Sequence, residues 1–430
     1  MTSPDGPPIG ETIGQKTRRW LAILGPGLVT GAADDDPSGI ATYSQVGAAF
    51  GYGLAWVMLF SYPLMAVTQA ISARIGCVTG SGIAQNLRFH YPRWFLRAVV
   101  VILLVANVAN LGADLGAMGE AVQILAGGPV IAYTIAAAAL CVLLEVFLSY
   151  RRYAEVLKFL TLSLFSYVAV VFAVHVPWGT ALRDTFIPTL VPDATHATAL
   201  VAVLGTTISP YLFFWQAAQE VEEQLRRTVK PLYTTPATAG PELARMTADT
   251  WVGMGYSNLI ALFIIIATAA TLHASGITDI ETSAQAAEAL RPIAGDFTFA
   301  LFACGIIGTG LLAVPVLAGS GAYAVCECFD WTAGLDHKLH DARAFYGVIA
   351  VSTLIGLALN FVGIDPIKAL YWSAVLNGVL AAPLMATMLL IATNAKIMGA
   401  LTLPGWMRLT GWLATAVMAL ASIGFLILSA

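Results

Sequence analysis

The chain has 430 residues, of which 58% are hydrophobic and 11% charged, and its mean hydropathy is +0.79, whereas a soluble domain carries about 25% charged residues. A formal net charge of −4, with no basic run and no patch of interleaved aromatic and basic residues, offers no footprint for nucleic acid. Cys77, Cys141, Cys304, Cys326 and Cys328 are odd in number and lie within or beside apolar stretches, so they read as thiols and not as a disulfide framework.

The chain opens on MTSPDGPPIGETIGQ, which is polar and rich in Pro and Gly and lacks the basic segment and short apolar core of a cleaved signal. Residues 1–19 are expected to form a flexible cytosolic tail, and 20–430 a single polytopic domain. Crossing a bilayer as a helix takes about 20 apolar residues. Such windows fall at 20–47, 52–75, 96–121, 128–149, 156–178, 197–219, 250–273, 296–325, 343–363, 367–393 and 407–429. They predict an all-α integral membrane protein with about eleven transmembrane helices, embedded in a lipid bilayer. The connections near 220–250 and 274–295 are too short to bury a core of their own.

Lys and Arg concentrate in alternate loops. Lys16, Arg18 and Arg19 precede span 1, and Arg74, Arg88, Arg93 and Arg97 follow span 2. Arg151, Arg152 and Lys158 follow span 4; Arg226, Arg227, Lys230 and Arg245 follow span 6; Lys338 and Arg343, then Lys396 and Arg408, complete the series. The rule that cytosolic loops are positive places the N-terminus in the cytosol and, after an odd number of spans, the C-terminus outside a cell membrane.

Span 1 holds Asp34, Asp35, Asp36, Pro37, Ser38 and Gly39 at its middle. Proline removes a backbone donor, clashes with the preceding turn and pushes the residue before it out of helical dihedrals, so the helix must break there. A carboxylate near the bilayer centre costs about 2.5–3.5 kcal/mol. Three together imply a cavity, a bound cation or protonation. In span 6, Ser209 and Pro210 follow Thr206 and Thr207 at the corresponding place of a second half. Paired interrupted spans of this kind mark the substrate site of secondary transporters, where unwound carbonyls and helix C-terminal ends attract cations.

The stretches GPGLVTGAADDDPSGIATYSQVGAAFGYGLAW and SARIGCVTGSGIAQNL resemble the first two spans of the Nramp family of divalent metal transporters, and the likeness extends over spans 1 to 10. It implies the leucine-transporter-like 5+5 inverted repeat with discontinuous spans 1 and 6, alternating access, Mn²⁺ or Fe²⁺ as substrate, and proton coupling. By position, Asp36 matches the family's metal-binding aspartate, and the carbonyls of Ala33 and Thr206 match those offered by the unwound turns. Ser209 stands where the family has methionine, Gly39 where it has an asparagine ligand, and Tyr211 where it has histidine. Asp114 matches the aspartate of span 3, while Ala117 replaces the glutamate beyond it. Losing a thioether weakens discrimination against hard ions, so Mg²⁺ carriage without proton coupling stands beside Mn²⁺ or Fe²⁺ symport.

A wider set of residues is drawn in as ligands or water-holding groups: Gly39, Tyr211, Asn377, Gln45 and Gln216. For Asn377 and Ser373, hydrogen-bonding glue between helices is the favoured role. Asp114, Asp34 and Asp35 are candidates for a proton path. Glu120 is expected to be solvated near the outer end. The acidic stretch Glu220, Glu222, Glu223, with Arg226 and Arg227, reads as a solvated helix or a cytosolic gate. Cys326-x-Cys328 and His337-x-x-His340 match zinc spacing loosely. No resident cofactor is expected. An enzyme would need a nucleophile and base or a catalytic metal cluster, and none of the six histidines falls at zinc-ligand spacing within a span. A cation channel remains a rival, as does a sodium-coupled amino-acid carrier, although Asp36 would repel a substrate carboxylate.

Overall fold

The computed structural model describes residues 25–147 and 161–429. The expected tail, the basic residues before span 1 and the Arg151, Arg152 and Lys158 cluster lie outside them. The described residues form helices joined by short connections. In chain order the main ones are α1 (Pro26–Asp34), α2 (Pro37–Phe50), α3 (Trp56–Thr79), α4 (Ile83–His90), α5 (Arg93–Ala126), α6 (Val130–Phe147), α7 (Phe165–Ala173), α8 (Ala194–Thr207), α9 (Pro210–Arg226), α10 (Ala239–Thr271), α11 (Thr298–Phe329), α12 (Arg343–Leu359), α13 (Pro366–Ala392) and α14 (Gly405–Ser429). Among the described residues, 8 helical stretches are long and apolar enough to cross a membrane, counting α8 and α9 as one. Two shorter apolar helices, Leu162–Ala173 and Arg343–Leu359, and the broken pair α1 and α2 supply the remaining crossings.

Both breaks take the expected form. Asp35 (φ −81°, ψ 53°) ends α1, and Asp36 (φ −72°, ψ 171°) starts α2 in the extended conformation that a following proline demands. Ile208 (φ −116°, ψ 64°) and Ser209 (φ −77°, ψ 123°) repeat this between α8 and α9. Pro37 and Pro210 each occupy the first turn of the new helix, where a missing N–H costs nothing.

The packing is reciprocal between halves. Span 1 lies against α10, the seventh span, and span 6 lies against α3, the second. Small residues let the backbones approach: a Cβ on Gly31 would sit 2.2 Å from the Gly253 carbonyl oxygen, and one on Gly205 would sit 2.1 Å from that of Ala374. Asp249 of α10 fastens the start of α1, accepting from the N–H groups of Gly25 at 2.9 Å, Gly27 at 2.8 Å and Leu28 at 3.3 Å, where a carboxylate also complements the helix dipole.

Connections gather on two faces. On one, Arg88 pairs with Asp330 and holds its carboxyl below the usual carboxylate range. There Arg226 reaches Asp336 at 2.6 Å, and Arg74 donates to the Leu401 and Thr402 carbonyls. These are the Lys- and Arg-bearing loops. On the other face His273 bonds the Ala48 carbonyl at 2.7 Å, Thr189 donates to Gly53, and Ser283 donates to Glu120 at 2.8 Å. The breaks lie midway between the two faces.

Candidate metal-ion site at the two breaks

Asp36 is the hub where the breaks meet. Its backbone begins α2, and its Oδ1 accepts from the Gly39 N–H and the Ser38 hydroxyl, both at 2.7 Å. This is an N-cap, so the first turn of α2 holds the carboxylate in one rotamer. Oδ2 turns the other way, toward α5 and α9, where Asn110 Nδ2 donates at 2.9 Å and the Tyr211 hydroxyl at 3.3 Å. The same hydroxyl lies 3.1 Å from the Ala33 carbonyl oxygen. That carbonyl is one of those left without a helical partner where α1 stops. One O–H therefore bridges a carboxylate and a bare carbonyl, the two acceptors that a cation placed there would bind.

The second break faces the first. Ser209 donates to the carbonyl oxygens of Thr206 at 2.8 Å and Gly205 at 3.2 Å, capping the end of α8. Gly39 sits under this turn: a Cβ there would lie 3.2 Å from Thr206 Oγ1 and 3.3 Å from the Tyr43 ring. Asp36 is 1% exposed, and Ala33, Thr206, Ser209 and Tyr211 are also buried, so the site is closed to both faces. The negative ends of α1 and α8 converge on it with one carboxylate and only oxygen donors.

Asp34 and Asp35 do not join Asp36. Ser257 of α10 donates to Asp34 Oδ2 at 2.7 Å and lies 3.0 Å from Asp35 Oδ1, so this buried pair faces span 7. Asp114 of α5 is buried, and neither of its oxygens has a hydrogen-bond partner at normal geometry, although the Ser38 amide lies nearby. Asn377 donates at 3.4 Å, and Ser373 at 2.9 Å, to Asn110 Oδ1. They reach Asp36 only through that amide.

The two glutamines are placed elsewhere. Gln45 stands at the outer end of α2, where its Oε1 accepts from the Ile280 N–H at 2.8 Å. Gln216 accepts from the Thr30 hydroxyl and donates to Glu220 at 3.0 Å.

Toward the basic face the structure differs from a solvated helix. Glu220 and Glu222 are buried. Glu220 lies 3.7 Å from Arg245 and accepts from Gln216 and Cys77, while Glu222 accepts from Tyr323, from the Leu335 N–H at 3.0 Å and from Arg226 at 3.0 Å. These ties close the route beneath the site. Glu120 is partly buried and holds Ser283 on the other side. No group of three His, Cys, Asp or Glu side chains forms a metal centre among the described residues, those of the Cys326 and His337 stretches included.

Asn110 is the functional neighbour that sequence reasoning left out of the site. It was visible with Asn107 and Asp114 on one polar face of the span, with nothing to say which helices that face would meet.

The model of the Nramp family, described as natural resistance-associated macrophage protein-like, matches residues 27–428. The chain belongs to the Nramp family. Among curated relatives, a divalent metal cation transporter, MntH, of Klebsiella pneumoniae (strain 342) is 27% identical over 413 residues, covering 92% of each chain. The fold is that of an Nramp structure, the manganese transporter of Eremococcus coleocola in complex with an aromatic bis-isothiourea substituted compound (TM-score 0.77, 16% identity, 97% of this chain and 88% of that one). It is also that of MhsT in complex with L-phenylalanine (TM-score 0.60, 14% identity, 94% and 97%), which places the Nramp chain in the leucine-transporter architecture with its 5+5 inverted repeat.

Proposed function

We propose that this chain is a secondary transporter that moves divalent metal cations of the Mn²⁺ and Fe²⁺ class across a cell membrane by alternating access. The observation that carries the reading is the pairing of the Asp36 carboxylate with the Ala33 carbonyl across one bridging hydroxyl, in a closed site at the junction of two broken spans. Family membership and the names of relatives such as the Klebsiella MntH protein support it. Asp36 supplies the charge, the carbonyls of Ala33 and Thr206 supply fixed dipoles, and Ser209 and Tyr211 supply hydroxyl oxygens. Entry of the ion displaces the Tyr211 proton from between its two acceptors and lets the hydroxyl oxygen face the cation.

With only oxygens in this set, the site favours hard and borderline ions, Mn²⁺ above softer metals, with Mg²⁺ as the natural competitor. The carrier role fits a site sealed on both faces, since an open conduit has no need of one. The basic loops support an orientation with the N-terminus in the cytosol and the C-terminus outside. Proton coupling is assigned to Asp114, a buried carboxyl beside the Ser38 amide that lies within the field of Asp36. Its partners are the cation, the proton and the bilayer, and its chemistry is transport and not catalysis.

The test is uptake of Mn²⁺ into liposomes holding the purified chain, with Fe²⁺, Mg²⁺ and Ca²⁺ as competitors and a pH dye inside. Saturable Mn²⁺ uptake lost in Asp36→Ala is expected. Uptake that persists in that variant, or a flux that never saturates, overturns the reading.

A further inference from the structure

We infer that Asn110 is itself a ligand of the transported cation, presented from the third span by a carboxamide that turns over when the ion arrives. The inference rests on the reading of Asp36 as the anchor of that ion.

The Oδ1 of Asp36 is committed to the cap of α2, so an incoming cation must approach Oδ2. In this structure Oδ2 is covered by the Asn110 NH₂ group at 2.9 Å and the Tyr211 hydroxyl at 3.3 Å. Both donors place positive hydrogen where the cation must sit. They neutralise a buried carboxylate, and they are incompatible with a cation bound at Oδ2 unless they turn. Tyr211 needs only to rotate its O–H. Asn110 has two outcomes: withdrawal, or a half-turn about its last side-chain torsion that puts Oδ1 where Nδ2 was.

The surroundings favour the half-turn. Asn110 is fully buried, so a withdrawn amide has no solvent to enter. Its Oδ1 now accepts from Ser373 at 2.9 Å and lies 3.4 Å from Asn377 Nδ2. After the turn, the NH₂ group faces Ser373 Oγ, a hydroxyl oxygen that can accept, while the Ser373 proton turns from Asn110 to the Leu370 carbonyl 2.7 Å away. Asn377, also an amide, presents its own oxygen by the same motion. All three residues are buried, and the Asn110 amide and the Ser373 hydroxyl keep partners in both orientations.

Position 39 explains why the amide comes from α5. A side chain there would start 3.2 Å from Thr206 Oγ1 and 3.3 Å from the Tyr43 ring, so a longer ligand from the turn of α2 fits only if those neighbours shift by a few tenths of an ångström. The arrangement also links substrate to fold motion, because α5 and α13 sense the ion through Asn110, Ser373 and Asn377 while α1, α2, α8 and α9 hold it directly.

The experiment uses the full chain in detergent and Cd²⁺ as the spectroscopic probe. Asn110→Cys places a thiol where the proposal puts an oxygen ligand, and Cd²⁺ bound to it gives a thiolate-to-metal charge-transfer band above the background set by the five thiols of the unsubstituted chain. A residue that only orients Asp36 gives no such band. Asn110→Ser and Asn110→Ala, read by Mn²⁺ calorimetry, are expected to weaken binding about tenfold or more, and Asn110→Asp to retain or tighten it. If the unsubstituted chain binds neither ion through Asp36, the proposed function itself fails. If it binds both, yet Asn110→Cys shows no band and Asn110→Ser binds Mn²⁺ as tightly as before, the ligand assignment alone is overturned. Should Asn110→Ala not fold, the Cys and Ser variants decide the question.

Discussion

Two substitutions at Asp36 separate its structural role from its charge. Asp36→Ala removes the cap of α2, the Gly39 bond included, worth about 1 kcal/mol, and strands the Asn110 amide, at about 1–3 kcal/mol for a buried group left unpaired. The variant should therefore lose about 2–4 kcal/mol of stability. Asp36→Asn keeps a capping oxygen as good as the original, and the Asn110 amide can turn to accept from the new NH₂ group. It should stay within about 1 kcal/mol of the unsubstituted chain. Both lose the charge. A unit charge pair at 4 Å is worth about 4 kcal/mol at an effective dielectric of about 20, so a divalent ion gains about 8 kcal/mol from the carboxylate. If desolvation leaves half, about 4 kcal/mol, the dissociation constant rises about a thousandfold. The assays are thermal melting in detergent and Mn²⁺ uptake into liposomes. Asp36→Asn should melt like the parent and carry nothing; Asp36→Ala should melt lower and carry nothing. Transport by Asp36→Asn at the parental rate, or identical melting of the two variants, refutes the reasoning.

Other outcomes follow from the same geometry. Ser209→Met replaces a hydroxyl with a thioether and should shift competition in uptake assays toward softer ions such as Cd²⁺; an unaltered series of preferences would show that position 209 does not touch the ion. Ser257→Ala deprives Asp34 and Asp35 of their common donor and should lower stability by about 1–3 kcal/mol, so an unchanged melting temperature would mean that water serves that pair. Gly205→Ala drives a methyl to 2.1 Å from the Ala374 carbonyl and should cost about 1–3 kcal/mol or more through overpacking. Gly240→Ala, with nothing within 4 Å, should cost nothing by that route, and equal melting of the two would contradict the tight crossing of spans 6 and 10.

Much of this was legible in the residues because the signals are local. Apolar windows placed the crossings within a few residues of α3, α5, α11, α13 and α14, since the length of a crossing is set by bilayer thickness. Pro37 and Pro210 marked both breaks, since a ring fixes φ and removes a donor whatever surrounds it. The division of labour among three consecutive aspartates was not legible: Asp36 caps α2, while Asp34 and Asp35 turn to Ser257. At a break the side-chain direction follows neither helical nor strand periodicity, so spacing cannot assign it. Gln45 and Gln216 looked alike, each a turn or two past a proline, yet one holds an outer loop and the other a buried glutamate. Glu220 and Glu222 read as solvated because the groups that meet them in the interior, Arg245 on α10 and Tyr323 with the Leu335 N–H, come from distant parts of the chain.

The sequence by itself determined the solvent, the number of crossings and the two points where helix must stop, because composition and the covalent geometry of proline act without reference to distant chain. It also named Asp36 as the charge at the first break. Only the tertiary structure decided what meets that charge. Asn110, Tyr211 and Ser257 come from spans 3, 6 and 7, and Ser373 and Asn377 approach behind Asn110 from span 10. Their convergence depends on how small residues such as Gly31, Gly205 and Gly253 let helix backbones close on one another, a property of paired surfaces that no single span contains.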